Sequence, residues 1–233
     1  MVAARKRESL SRARVLTAAV DLADREGLQA VTMRRLAGEL GVEAMSLYHH
    51  LPGKEGLLDG LVETIATEIG GAVAELPPTD DWGEDVRGRC LAARTVMLRH
   101  PWAPAVIGSR TAIPPSVFAH YEALLGAMVE GGLSYPVAHR GLHALGSMVL
   151  GFVQELFSPA AGSDAEMGEE ELRQMALALP HMTAMVAAEV HAHDGDVLGW
   201  CDSQAEFEFT LDLLLDGLAH SHDDGRERRP HHV

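Results

Sequence analysis

The sequence is poor in cysteine, in strand signals and in positive charge, and each shortage excludes something. Two cysteines, Cys90 and Cys201, in 233 residues are too few for a disulfide framework and too far apart for a zinc knuckle, which fits a reducing compartment. No uninterrupted apolar run approaches the ~20 residues needed to span a bilayer, so no membrane segment is expected. The amino-terminus, Met1-Val2-Ala3-Ala4-Arg5-Lys6-Arg7, leads into charge and serine where a secretory signal has an apolar stretch, and the expected location is cytoplasmic. Alternating β-branched or aromatic runs bounded by turn pairs do not occur. The motifs of common enzyme classes are missing too: no Gly-x-Ser-x-Gly elbow, no His-Glu-x-x-His, no phosphate loop around Gly53-Lys54. His120-x-Glu122 copies part of a zinc deaminase motif, but no Pro-Cys-x-x-Cys follows. No catalytic residue, cofactor or metal site is assigned.

Positive charge is short overall: 19 Lys/Arg against 34 Asp/Glu give a net charge of −15, which taken whole argues against nucleic acid. The average hides a division. Residues 1–60 hold nine Lys/Arg against eight Asp/Glu, whereas residues 61–233 hold ten against twenty-six. Five of the basic residues (Arg5, Lys6, Arg7, Arg12, Arg14) lie in the first fourteen, with only Glu8 opposing them. This asymmetry describes a small, near-neutral module with a basic edge joined to a larger acidic body.

What is plentiful is apolar residues, 47% of the chain, recurring with the 3.6-residue period of helices. The fold class is all-α. Val15, Ala19, Leu22 and Ala23 share a face of a first helix over 10–26 that stops at Gly27. Thr32 caps a second helix over 33–40, ended by Gly41, and a third covers about 44–50, with Glu43 as its cap. After the Pro52-Gly53 breaker a fourth helix carries Leu58, Leu61, Val62, Ile65 and Ile69. Pro77-Pro78-Thr79-Asp80-Asp81 is a linker, with Asp81 placed to cap the next helix. Beyond it helices are predicted at 82–99, 102–108, 115–131, 135–157, 169–191 (broken near Pro180) and 203–220. The domain map is a basic arm over 1–8, a head over 9–53, a connecting helix over 54–75, a body over 82–222 and a disordered tail over 223–233. Pro159 to Gly168 is a predicted mobile loop.

The second helix, the Gly41-Val42 turn and the third helix form a helix-turn-helix. Ala37 is small where the helices approach, and Gly41 accepts the positive φ of a tight turn. Val42, Leu47 and Leu51 point back at Leu36, leaving Ala44, Met45, Ser46, Tyr48 and His49 outward. Thr32-Met33-Arg34-Arg35-Leu36-Ala37, Leu40-Gly41-Val42, Ser46-Leu47-Tyr48-His49-His50 and Lys54-Glu55-Gly56-Leu57-Leu58 resemble, in order and spacing, the DNA-binding domain of the TetR family of bacterial repressors. The likeness covers about residues 9–65. The remainder is similar in layout to the tetracycline-repressor type of C-terminal domain.

The resemblance implies a double-stranded DNA operator as partner, with Tyr48 and Lys54 clamping phosphates, the latter at a helix start where the dipole favours anions. Arg34 suits a phosphate or a base. Thr32 serves as a cap, a phosphate contact or both. Ala44, Met45 and Ser46 open the recognition helix and meet base edges; His49 faces the backbone, and His50 packs or meets phosphate. It further implies a homodimer through the helices at 135–157 and 203–220, each apolar on more than one stripe: Gly141, Ala144, Met148 and Gly151 form the second stripe of the former. In the body, Met97, His100, Trp102, Phe118 and Tyr121, with Met128, His139, His143, Met148 and Phe152, are the candidate lining of a site for a small, largely apolar effector. His139 and His143 have a metal-compatible i, i+4 spacing, and His191-x-His193 with Asp194 and Asp196 is a second polar cluster; solvated histidines are the simpler reading of both. The implied function is a ligand-released repressor with the fourth helix as lever. The alternatives are an effector-independent DNA-binding co-regulator, or a helical enzyme or carrier with a vestigial head.

Overall fold

The computed structural model describes residues 9–152, 169–190 and 203–221, and every regular element among them is helical. The basic arm, the Pro159 loop, the His191 cluster and the tail lie outside the described residues. The head consists of α1 (Arg12–Glu26), α2 (Met33–Leu40) and α3 (Ala44–Tyr48), with a short 3₁₀ turn at Leu28–Ala30. Then come α4 (Gly53–Ala74), α5 (Trp82–Arg99), α6 (Ala103–Ser109), α7 (Pro115–Glu130) and α8 (Tyr135–Gly151). After the gap come α9 (Glu169–Ala178), α10 (Pro180–Val190) and α11 (Ser203–Ser221). None of the described helices is long and apolar enough to cross a membrane.

Local chemistry sets the ends. The Thr32 hydroxyl accepts from the Arg35 N–H at 3.2 Å, and the Asp81 carboxylate accepts from the Glu84 N–H at 3.0 Å, each satisfying a donor that a helix start leaves orphaned. Gly41 adopts φ 65° in the left-handed region at the end of α2, and the Val42 N–H donates to the Ala37 carbonyl at 3.0 Å; the turn between α2 and α3 thus closes as a helix C-terminal motif. Glu43 stands at the start of α3, but its side chain makes no capping bond there, which corrects its expected role.

Leu22, Leu36, Leu47 and Leu61 are fully buried, in one apolar cluster that continues through Val96, Ala103 and Val106. Packing therefore runs unbroken past residue 53. The crossing of α1 and α4 is close: a Cβ on Gly60 would stand 2.5 Å from Leu16 Cδ2, and the Leu16 side chain would have to shift to admit it. Arg12 ties the same pair through Glu63 at 2.6 Å.

The chain divides into two compact units, one of residues up to Val153 plus those from Leu211 onward, the other Gln154–Thr210. In the second unit α9 packs on α10, and Leu177, Leu179, Met182 and Met185 are exposed. In the first, the second apolar stripe of α8 is largely consumed internally. Gly141 is buried facing Leu218 of α11 and Met128 of α7, and Met148 is buried, while Ala144 and Gly151 are exposed. α11 buries Phe207, Leu211 and Leu215 and leaves Phe209 and Leu213 exposed.

Candidate DNA-facing surface and interior cavity

Two regions of the first unit bear on function. The outer one is α3 with the starts of α2 and α4. Along α3 the exposure alternates sharply: Leu47 is fully buried and anchors the helix, Met45 is 70% exposed and Tyr48 48% exposed. Ala44 and Ser46 are half-buried, Ala44 packing on the core, and His49 is exposed. Thr32, Arg34 and Lys54 are exposed at the starts of α2 and α4, where unpaired N–H groups and the helix dipole favour phosphate. The eight residues expected to face DNA thus flank one short exposed helix, with Ala44 and Ser46 the least prominent.

The cations here are not equivalent. Arg35 donates to Glu26 at 2.7 Å and pairs with Glu39 at 3.2 Å, and those carboxylates raise its pKa. Arg34 and Lys54 make no ion pair among the described residues and are the ones available to an external anion. Beside Lys54, Arg110 reaches in from just past α6. Its guanidinium donates to Glu55 at 2.5 Å, and its Nε stands 2.9 Å from Asp59 as an ion pair without hydrogen-bond alignment. Arg110 therefore holds the Glu55 carboxyl below its usual range and offsets two acids next to Lys54. No local pattern in the chain marks this contact, which spans 55 positions.

The inner region is a partly open cavity of about 130 Å³ bounded by α4 to α8. Its wall is mainly aliphatic: Val62, Ile65, Ile69 and Val73 from α4, Ile107 from α6, Leu145, Val149 and Leu150 from α8. The polar exceptions are Arg89, held by Asp85 at 2.9 Å, and His120, Tyr121 and Cys90. His120 Nε2 donates to the Ala66 carbonyl at 2.7 Å, tying α7 to α4 across the cavity wall. Burial pushes the Cys90 thiol up to about 12, so it stays protonated and serves as lining, not as a nucleophile.

Of the ten residues expected to line an effector site, Met97 and Tyr121 do so. The other eight are placed elsewhere. His100 and Trp102 form a buried joint: His100 Nδ1 lies 2.8 Å and Trp102 Nε1 2.6 Å from the same Asp24 oxygen on α1. His100 Nε2 lies 3.1 Å from Glu68 on α4, so head, α4 and body meet at one polar node. Phe118 is exposed, Met128 is buried against Gly141, and Met148 is core. The Phe152 carbonyl accepts from buried Arg94 at 2.6 Å. His139 and His143 are exposed on α8. What the sequence reading missed was the α4 face, whose Val62, Ile65 and Ile69 were recognised as a helical stripe without a void being assigned to it.

Residues 15–61 match the family model of bacterial regulatory proteins of the tetR family, and residues 75–221 match that of the tetracyclin repressor-like C-terminal domain. The chain is 30% identical over 219 residues to an HTH-type transcriptional regulator of Saccharopolyspora erythraea, spanning 92% of this chain and 87% of that one. It is also 30% identical over 211 residues to the class C tetracycline repressor protein of Escherichia coli, 90% of each chain being covered. Among solved structures, a possible TetR family transcriptional regulator from Streptomyces coelicolor A3(2) superposes with a TM-score of 0.69 at 28% identity, covering 91% of this chain and 100% of that one.

Proposed function

The chain belongs to the TetR family of bacterial regulatory proteins, and from that premise we propose a homodimeric, DNA-binding transcriptional repressor released by a small, largely apolar molecule. The observation that carries the reading is the pairing of an exposed α3, flanked by unpaired Arg34 and Lys54, with an apolar cavity whose wall includes α4. Met45 offers apolar contact to thymine methyl groups, with Ala44 and Ser46 at the same helix end toward base edges; Tyr48, His49, Lys54, Arg34 and Thr32 hold the backbone and fix register. One such head buries too little for selective binding, so two act on a palindrome. Exposed Phe209 and Leu213 on α11, with Ala144 and Gly151 on α8, support pairing of two copies through these helices. The relatives are regulators, and nothing in the reading requires catalysis.

Release follows from geometry. α4 begins beside the phosphate-binding Lys54 and, about two turns on, from Val62, forms the cavity wall. An occupant that prefers a different placement of α4 lowers operator affinity by that preference and no more, and the operator lowers the occupant's affinity equally. Footprinting the purified protein on the intergenic DNA flanking its own gene is the direct test. A protected palindrome is expected, and its absence at protein concentrations well above the usual nanomolar range would remove the operator claim.

A further inference from the structure

His139 and His143 stand one turn apart on the exposed side of α8, with Nε2 atoms 3.1 Å from each other and rings perpendicular at 89°. Two nitrogens bound to one ion at about 2.0–2.1 Å, at octahedral cis or tetrahedral angles, are separated by about 2.9–3.4 Å. The observed spacing falls inside that range. We propose that this pair is a bidentate site for a late first-row divalent ion, the class that imidazole nitrogen favours over magnesium or calcium.

Positions 139, 143, 146 and 150 share one helical face, and Gly146 and Leu150 on that face line the cavity. An ion bridging residues 139 and 143 fastens two successive turns of α8 immediately before its cavity-lining stretch. No third His, Cys, Asp or Glu completes a cluster among the described residues, so the ion keeps open positions for water, as a two-donor surface chelate does. Arg140, the nearest cation in sequence, is turned about 100° around the helix from His139 and does not share the face.

The competing account is a hydrogen bond between two neutral imidazoles, which needs no ion. Titration of the full chain with Zn²⁺ by calorimetry, with H139A, H143A and the double variant alongside, separates the two. Other histidines of the chain give a background common to all four proteins. Against it, wild type is expected to bind one additional Zn²⁺ per chain, lost or weakened at least tenfold in each single variant, because a chelate needs both nitrogens. Zn²⁺ is also expected to raise the thermal midpoint of wild type above its effect on the double variant. Equal stoichiometry and affinity in wild type and double variant, or loss in only one of the single variants, overturns the proposal. Both side chains are exposed, and far-UV circular dichroism of each variant verifies that the helical fold persists.

Discussion

Tyr48 and Leu47 are neighbours in the chain and opposites in environment, one 48% exposed and the other fully enclosed, so substitutions at the two positions test different things. Leu47→Ala removes a branched side chain from the fully buried position of α3 and is expected to cost about 2–5 kcal/mol of stability, measured by denaturant titration. Tyr48→Phe keeps the ring and removes the hydroxyl. Its folding free energy is expected to stay within about 0.5 kcal/mol of wild type. Operator affinity of the dimer is expected to fall about 30-fold, the worth of one hydrogen bond near 1 kcal/mol on each of its two protomers. Unchanged affinity in Tyr48→Phe would take the hydroxyl out of the phosphate contact and leave the ring as a shape element only.

At the scale of elements, α4 is gripped from both ends. Arg110 holds its first turns at Glu55 and Asp59, and His100 holds Glu68 further along. Ile107, one turn before Arg110, lines the cavity, so the end of α6 touches the cavity on one side and, through Arg110, the start of α4 on the other. Arg110→Ala leaves two carboxylates uncompensated beside Lys54, and a weaker operator complex is expected by fluorescence anisotropy, more so at low salt. The sign of the pH effect follows from the lowered Glu55 pKa. A depressed folded-state value adds stability above the ordinary glutamate value of 4.5 and loses it as pH falls through the folded-state value. The stability difference between wild type and Arg110→Ala is thus expected to be flat from neutrality to about pH 5 and to shrink below it. These contacts also mark where sequence reading stops. Thr32, Gly41 and Asp81 act within four residues of themselves, so their roles and the helix bounds they set were legible. His100 and Trp102 read as cavity lining because an aromatic and a histidine suit one, yet their partner Asp24 lies 76 and 78 positions away. The residues lining a void are fixed by how helices stack, and no local pattern records that.

For the whole molecule the governing quantity is the division of charge. A net charge of −15 on a DNA-binding chain restricts attraction to the head, since the body repels the duplex wherever the two approach. On the proposed function, affinity is expected to depend on a few cations per copy, Arg34 and Lys54 on the described surface together with Arg5, Lys6 and Arg7 of the amino-terminal segment. Each phosphate neutralised contributes about −0.9 to the slope of log K against log salt. Lys54→Ala removes one cation per protomer, two in a dimer, and the slope is expected to become shallower by roughly two. Removing residues 1–8 takes three more per protomer and is expected to flatten it further by up to about five, with the helical fold retained, since among the described residues the buried core begins at Val15. The same measurement on random-sequence DNA separates steering from reading, because phosphate contacts weaken both complexes alike whereas base contacts weaken only the operator complex. A slope that Lys54→Ala leaves unchanged on both DNAs would mean that the lysine does not neutralise phosphate, and that the acidic body works with a different set of cations.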